Sequence, residues 1–497
     1  MEAMNTLVVI DHKRQWPFEI PEAPVVTARR YLAEPENGHE PSVRVLNLCR
    51  TGRYQGRGYY VSLLAEARGQ RPLPDVKTVE DLKSEAHVRT LSARLQSLVD
   101  ETLHHDESDR FELDAYLGKD PAERHPALAE QLFANVRAPL LRAVFGRAEG
   151  GWRLDAVQAI GIGDIPPRHR PFLAEAMKAF VAQSAAPRVK RTGTGRPRLA
   201  ILWNPSEPHK PSNEGALQRL VRTAPLVGLE AELIGPDALE RLPEFDALFN
   251  RASPEVHGFT YDFARRAESL GMPVVDDPES ILKCLNKVYM HELMSRHRIA
   301  QPKTLVVHRG NVEDIVPTLA LPCVLKLPDS GFGLDVVKIE SEDQLRREAE
   351  RFFKVSELFI AQEWLPTGFD WRVGVYDRRP LFVAKYFMAP GHWKVNKVVE
   401  GEAKLVEGKT EAMAVGEAPA RVIETAVRAA NLIGRGLYGV DLKEAGDRVY
   451  LIEVNCNPNI DAGNEDQVLG EALYREILGV FARRIAERRG GAKPHGI

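Results

Sequence analysis

Hydrophobic residues along this chain fall into short apolar runs that alternate with stretches of helical period. Thr6-Leu7-Val8-Val9-Ile10 and Val43-Arg44-Val45-Leu46-Asn47-Leu48 read as buried strands. Between residues 76 and 185, Leu91, Leu95 and Leu98, then Leu128, Leu132 and Val136, recur at helical spacing, so this region is expected to be helix-rich. The charged run over 104–114 reads there as a solvated connection. Residues 187–198 are basic and rich in Gly and Pro, which marks a linker. Beyond it, apolar runs at 199–203, 229–234, 247–251 and 272–276 alternate with helical segments, the signature of a parallel sheet. Further strands are expected at 322–326, 358–366 and 382–386. A helix ending in Gly434 and Gly436 leads into the last strands. A final helix over 467–489 carries Leu469, Leu473, Ile477 and Phe481 on one face.

Two short apolar strands near the C-terminus carry the clearest chemistry. Val440-Asp441-Leu442 and Leu451-Ile452-Glu453-Val454-Asn455 are separated by 443–447, which includes Gly446 and reads as a hairpin turn. That pairing brings Asp441 close to Glu453 and Asn455, and the latter two share a strand face. Three oxygen-bearing side chains on one face suit a hard cation such as Mg²⁺, with Mn²⁺ as an alternative.

The strings YGVDL and LIEVNCNPNIDAG resemble the metal-binding end of the ATP-grasp fold, and within it most closely the RimK-like carboxylate-amine ligases. The resemblance covers about residues 199–485. It implies an α/β fold, α+β in its catalytic part: an ATP-grasp domain over 281–485, a small parallel α/β domain over 199–280 and an N-terminal extension over 1–190. It assigns Asp441, Glu453 and Asn455 to Mg²⁺. Lys287, Lys326 and the glycine loop with Ser330, Gly331 and Gly333 fall to the ATP phosphates, Glu363 and Trp364 to adenine, and Asp370 to the nucleotide. Arg372 and Lys326 are the expected catalytic residues. Lys394 and Asn396 take the outer positions of a stretch in which the family carries an Arg and an Asn, so the charge is kept but not the two-pronged geometry. Cys456-Asn457-Pro458-Asn459 departs from the family's usual loop while leaving the metal ligands intact.

The residues themselves support part of this. Lys326 closes the apolar strand Pro322-Cys323-Val324-Leu325, where a charge is costly unless paired, and a phosphate oxygen is a suitable partner. Small residues three positions later let backbone N–H groups approach phosphates. Arg372 lies two residues after Asp370 and is suited to a carboxylate or acyl-phosphate. His392 reads either as a general base for the amine or as a turn residue. Arg251, closing a strand, reads equally as a turn brace or a substrate contact. Arg50, Arg53 and Arg57 sit in a glycine-punctuated loop opening a helix, which can receive an anion, but the spacing matches no phosphate-loop motif.

Composition narrows the setting. The chain has 497 residues, enough for several domains, with 44% hydrophobic and 28% charged residues. A formal net charge of -3 argues against a general nucleic-acid or membrane partner. The four cysteines (Cys49, Cys284, Cys323, Cys456) are scattered, so a disulfide framework or zinc site is not expected and a cytoplasmic setting is. The N-terminus lacks a signal-peptide pattern, and no apolar run is long enough to span a membrane. The expected activity is ATP-dependent activation of a small-molecule or peptide carboxylate as an acyl-phosphate, its capture by an amine, and release of ADP and phosphate, in a homo-oligomer. The alternatives are a glutathione-synthetase-like or dipeptide ligase, an ATP-grasp kinase without the amine step, and a non-catalytic nucleotide-binding protein.

Overall fold

The computed structural model describes residues 6–16, 23–33, 43–104, 106, 108–148, 151–181, 196–208, 210–329, 335–398 and 405–489. Ser330, Gly331 and Gly333 lie outside them, as does most of the expected linker. Two compact units emerge: Met1–Pro187 with Val355–Glu357, and Arg188–Lys354 with Leu358–Ile497. All four cysteines are free thiols. Among the described residues no helix is long and apolar enough to cross a membrane.

The first unit opens with a parallel four-stranded sheet, ordered Val25–Thr27, Thr6–Ile10, Arg44–Asn47, Arg71–Leu73. The expectation of a helix-rich stretch over 76–185 is only half right. Helices Glu85–Leu103 and Pro126–Val136 are present. With them, however, stands an antiparallel three-stranded sheet of Arg110–Tyr116, Leu140–Ala148 and Gly151–Ala159. The second part of the supposed solvated connection, Arg110 to Asp114, belongs to its first strand. Arg110, Glu112 and Asp114 alternate with Phe111, Leu113 and Ala115, so the charges line one face while Leu113, Phe145, Trp152 and Leu154 pack on Leu91, Leu95 and Val99.

Besides the two-stranded pair Asn396–Val398 and Leu405–Glu407, the second unit holds three larger sheets among the described residues. The first is parallel, ordered Val274–Val275, Ala247–Asn250, Arg198–Leu202, Glu230–Ile234. Its core is closed by Leu473, Ile477 and Phe481 of the terminal helix Glu471–Arg489. The second is antiparallel, ordered Thr304–Val307, Phe359–Glu363, Cys323–Lys326, Val336–Ile339. The third has five antiparallel strands, ordered Thr410–Met413, Arg379–Phe387, Phe369–Tyr376, Leu437–Ala445, Arg448–Cys456.

Two local readings need correction. The expected helix through Leu285-Asn286-Lys287 is two helices, Pro278–Cys284 and Lys287–Arg296. Asn286 caps the second through its side-chain oxygen, which accepts from the Tyr289 N–H at 3.0 Å. The hairpin turn is Gly446-Asp447 alone, with Gly446 at φ +63, so Lys443 to Ala445 belong to the strand.

Arg251 proves to be a brace. It is 2% exposed. Its guanidinium donates to Ser212 Oγ (2.9 and 3.0 Å), to the Pro458 carbonyl (2.9 Å), to the Pro211 carbonyl and to Asn457 Oδ1. Burial lowers it to about 10, so it stays charged at neutral pH. This ties the loop before the Glu214–Thr223 helix to the chain just past the last strand. Arg251→Met removes the shared donor and orphans buried acceptors, each worth about 1–3 kcal/mol, so a loss of at least about 3 kcal/mol is expected in urea unfolding. Unfolding indistinguishable from the parent would show that the guanidinium does not hold this junction.

Candidate active site

The hairpin Leu437–Ala445 and Arg448–Cys456 sets Asp441 directly opposite Glu453 and Gly439 opposite Asn455. Asn455 Nδ2 donates to Asp441 Oδ2 at 3.1 Å and to Glu453 Oε1 at 3.2 Å. The three expected metal ligands therefore share one small patch of the sheet. On the neighbouring strand Arg372 stands opposite Asp441 and grips its carboxylate with two nitrogens, Nη2 to Oδ2 at 2.7 Å. Burial works against the guanidinium charge, but Asp441 outweighs it and Arg372 stays firmly protonated. Its face lies 4.8 Å from the Tyr386 ring, and the Tyr386 hydroxyl donates to Glu465 Oε1 at 2.7 Å.

A cavity brings this face together with the four-stranded sheet. It is lined among others by Lys287, Lys326, Gln362, Ile360, Ile452 and Glu453. Lys326 ends its strand as expected, and its Nζ donates to Gln362 Oε1 at 2.8 Å. Gln362 Nε2 in turn donates to Thr304 Oγ1 at 2.9 Å. Lys287 is the first residue of its helix, and its backbone N–H donates to the Pro328 carbonyl at 2.9 Å, just before the glycine loop. Burial lowers both ammonium groups, Lys326 to about 8. Burial alone would raise Glu453, but Lys287 and Lys326 pull it below the usual carboxylate range. The cavity thus joins two cations to one buried carboxylate. Among the described residues no three His, Cys, Asp or Glu side chains cluster closely enough for a metal. The oxygen set here is two carboxylates and an amide.

The other expected residues are not among those that line the cavity. Glu363 ends its strand with Oε1 accepting from the Lys303 N–H at 2.7 Å, so its carboxylate is engaged locally. Trp364 meets Trp393 edge-on at 5.0 Å, with Lys338 Nζ 4.7 Å from its ring. Lys394 Nζ lies 5.2 Å from the Trp393 ring, and Asn396 begins a short strand opposite Glu407. His392 stacks on Trp393, and its Nδ1 accepts from the Lys394 N–H at 3.1 Å, a turn role. Asp370 does not stand alone. Its Oδ1 takes Lys443 Nζ at 2.6 Å and the Thr367 hydroxyl at 3.0 Å. Lys443, the partner of Asp370, is a residue that the sequence pattern does not single out. Its signal is the spacing of two residues from Asp441, hidden because it reads as the start of the turn.

Residues 28–176 match the family described as RimK-like ATPgrasp N-terminal domain, and residues 284–472 match the RimK-like ATP-grasp domain. A protein of Vibrio vulnificus named probable alpha-L-glutamate ligase is 26% identical over 260 residues, which is 52% of this chain and 80% of that one. A Shewanella protein named probable alpha-L-glutamate ligase 2 is 26% identical over 283 residues, 53% of this chain and 89% of its own. Among solved structures, the D-alanine–D-alanine ligase of Bacillus anthracis is 16% identical with a TM-score of 0.47, covering 59% of this chain and 100% of its own. With an N-terminal domain and an ATP-grasp domain both matched in order, the chain belongs to the RimK-like ATP-grasp family.

Proposed function

We propose that the chain is an ATP-dependent carboxylate-amine ligase that activates an amino-acid or peptide carboxylate as an acyl-phosphate and joins it to an amine. The observation that carries this reading is the cavity in which Lys287 and Lys326 face Glu453, which lies directly opposite Asp441 in the hairpin. The relatives' names make L-glutamate the first substrate to try.

The donor set fits Mg²⁺, since Asp441, Glu453 and Asn455 carry hard oxygens on one face; the Asn455 amide donates its N–H to both carboxylates and would turn its oxygen toward a bound ion. When bound, the ion would supply positive charge to phosphate oxygens. The chain's own residues account for the rest. Lys287 and Lys326 hold the polyphosphate and offset negative charge as the γ-phosphoryl group passes to the carboxylate oxygen. Arg372, locked by Asp441, presents a fixed guanidinium to the acyl-phosphate. The amine then attacks the acyl carbon. The C–O bond to phosphate breaks, phosphate leaves with the electron pair, and the amine gives up a proton. In this reading Glu363 and Trp364 contact adenine and Asp370 the ribose hydroxyls. Ser330, Gly331 and Gly333 are assigned to the phosphates, and Lys394 and Asn396 to the transferred phosphoryl group.

Hydroxylamine trapping tests the reaction type. With ATP, Mg²⁺ and a series of acids beginning with L-glutamate, a hydroxamate should form together with ADP. ATP turnover stimulated by an acid that never yields a hydroxamate would replace the ligase by a kinase. For the metal patch, Glu453→Ala should abolish turnover while circular dichroism and gel filtration stay as in the parent. Normal turnover at ordinary Mg²⁺ would remove the ligand assignment.

Lys326 sets a pH dependence. Its ammonium, lowered by burial to about 8, attracts phosphate only while charged. ATP affinity should therefore fall from about pH 7 to about pH 9 in the parent, whereas Lys326→Met should bind weakly and without that step. In the empty protein the sign is reversed. The folded-state value lies below that of the unfolded chain, which binds more protons between the two, so this lysine's contribution to stability rises with pH across that window. Turnover by Lys326→Met should drop by roughly a hundredfold, the scale of losing one strong electrostatic donor. Turnover close to the parent would sink the phosphate role.

A further inference from the structure

Lys443 sits on the Leu437–Ala445 strand two positions after Asp441, so both side chains share one face of the sheet. On the adjacent strand Arg372 opposes Asp441 and Trp371 opposes Leu442. The next step of that register sets Asp370 beside Lys443, and their ion pair measures 2.6 Å with side chains only 18% and 15% exposed. Lys443 Nζ also donates to Thr367 Oγ1 at 2.6 Å. An ammonium carries three N–H donors. Asp370 and Thr367 account for two, and the third has no protein partner among the described residues. Lys443 and Lys287 also both depress Lys326 by charge repulsion, which places three ammonium groups within electrostatic reach of one another. Such crowding is unfavourable in the empty protein and is relieved by a multiply charged anion.

We propose that Lys443 is a third lysine of the polyphosphate site, held ready by Asp370 and Thr367 and donating its remaining N–H to a phosphate oxygen of a bound nucleoside di- or triphosphate. The proposal rests on the reading of the Lys287–Lys326 cavity as the phosphate site. Asp370 then has a second role, since besides any contact with the nucleotide it aims a cation. The side-by-side pairs Asp370–Lys443 and Arg372–Asp441 form one block in which each carboxylate fixes a cation pointed at the substrate face.

The test uses the full chain and four probes, ATP, ADP, AMP and adenosine, with affinities read by calorimetry. Lys443→Met should weaken ATP and ADP by at least about tenfold while changing adenosine by less than about twofold. Lys443→Arg should retain most of the ATP affinity, since it keeps the charge. Equal losses for adenosine and ATP would overturn the proposal in favour of a ribose-side role through Asp370. So would ATP affinity restored to within about threefold of the parent by Lys443→Met combined with Asp370→Asn, because the lysine would then only neutralise its partner. If Lys443→Met fails to fold, Lys443→Gln carries the same comparison. Lys326→Met in the same series separates the two readings. Weak ATP binding there with parent-like binding by Lys443→Met sinks the Lys443 proposal alone. Parent-like binding by Lys326→Met sinks the phosphate site itself.

Discussion

Charge held out of water, and matched before any substrate arrives, is the constraint on which this active site depends. Glu453 is buried and would be pushed toward protonation by its surroundings, yet Lys287 and Lys326 keep it ionised. Asp441 is held by both arms of Arg372, yet its burial outweighs that grip and raises it to about 7, so it is the less fully matched of the two carboxylates. An isolated charge at either position would cost several kcal/mol. Lys326 and Lys287 come from the four-stranded antiparallel sheet and the helix that follows Asn286, whereas Glu453, Asp441 and Arg372 all stand on the five-stranded sheet, so Glu453 is balanced across the cavity and Asp441 within its own sheet. Such an arrangement is weak evidence for stability, since well-packed apolar residues commonly serve at least as well. Its value lies in orientation: each group is already aimed before nucleotide or metal enters.

Much of this is legible in the sequence because strand ends punctuate apolar runs. Lys326 after Cys323-Val324-Leu325, and Asp441, Glu453 and Asn455 within two apolar segments, stand out for that reason, and the structure puts them on one cavity or its flank. What stays hidden has three physical causes. The Arg110–Tyr116 strand carries charge on alternate positions, and a search for apolar runs discards it although its period of two is intact. The helix break at Asn286 follows from a side-chain cap, which propensity alone does not mark. Lys443 is obscured because the turn at Gly446-Asp447 is tighter than expected, so a strand residue reads as part of a loop.

Arg251 illustrates a fourth cause, separation along the chain. The choice between turn brace and substrate contact cannot be made from its neighbours in sequence, because its partners Asn457 and Pro458 lie some two hundred residues away. The same junction is sewn further by Ser212 Oγ donating to the Ile460 carbonyl at 2.9 Å and by the Asn213 N–H donating to Asp461 at 2.6 Å. The parallel sheet therefore anchors the chain that leaves the strand bearing Glu453 and Asn455, two residues after Asn455. A family resemblance locates ligands; it does not show what keeps the strand that bears them in place.

The alternation of sign across the central strand pair gives that anchoring a purpose. Along Phe369–Tyr376 the face toward the site reads Asp370 then Arg372, and along Leu437–Ala445 it reads Asp441 then Lys443. Antiparallel pairing turns these into two ion pairs of opposite direction, lying side by side. A slip of one residue would send all four side chains to the opposite face, into the core. Register and chemistry are thus specified together: the apolar residues between them, Trp371 and Leu442, are buried on the other face and fix the register, and the charges follow from it. That coupling explains why a site assembled from strands needs few residues of its own to stay ordered, and why the groups that meet substrate are found at strand positions whose neighbours are core.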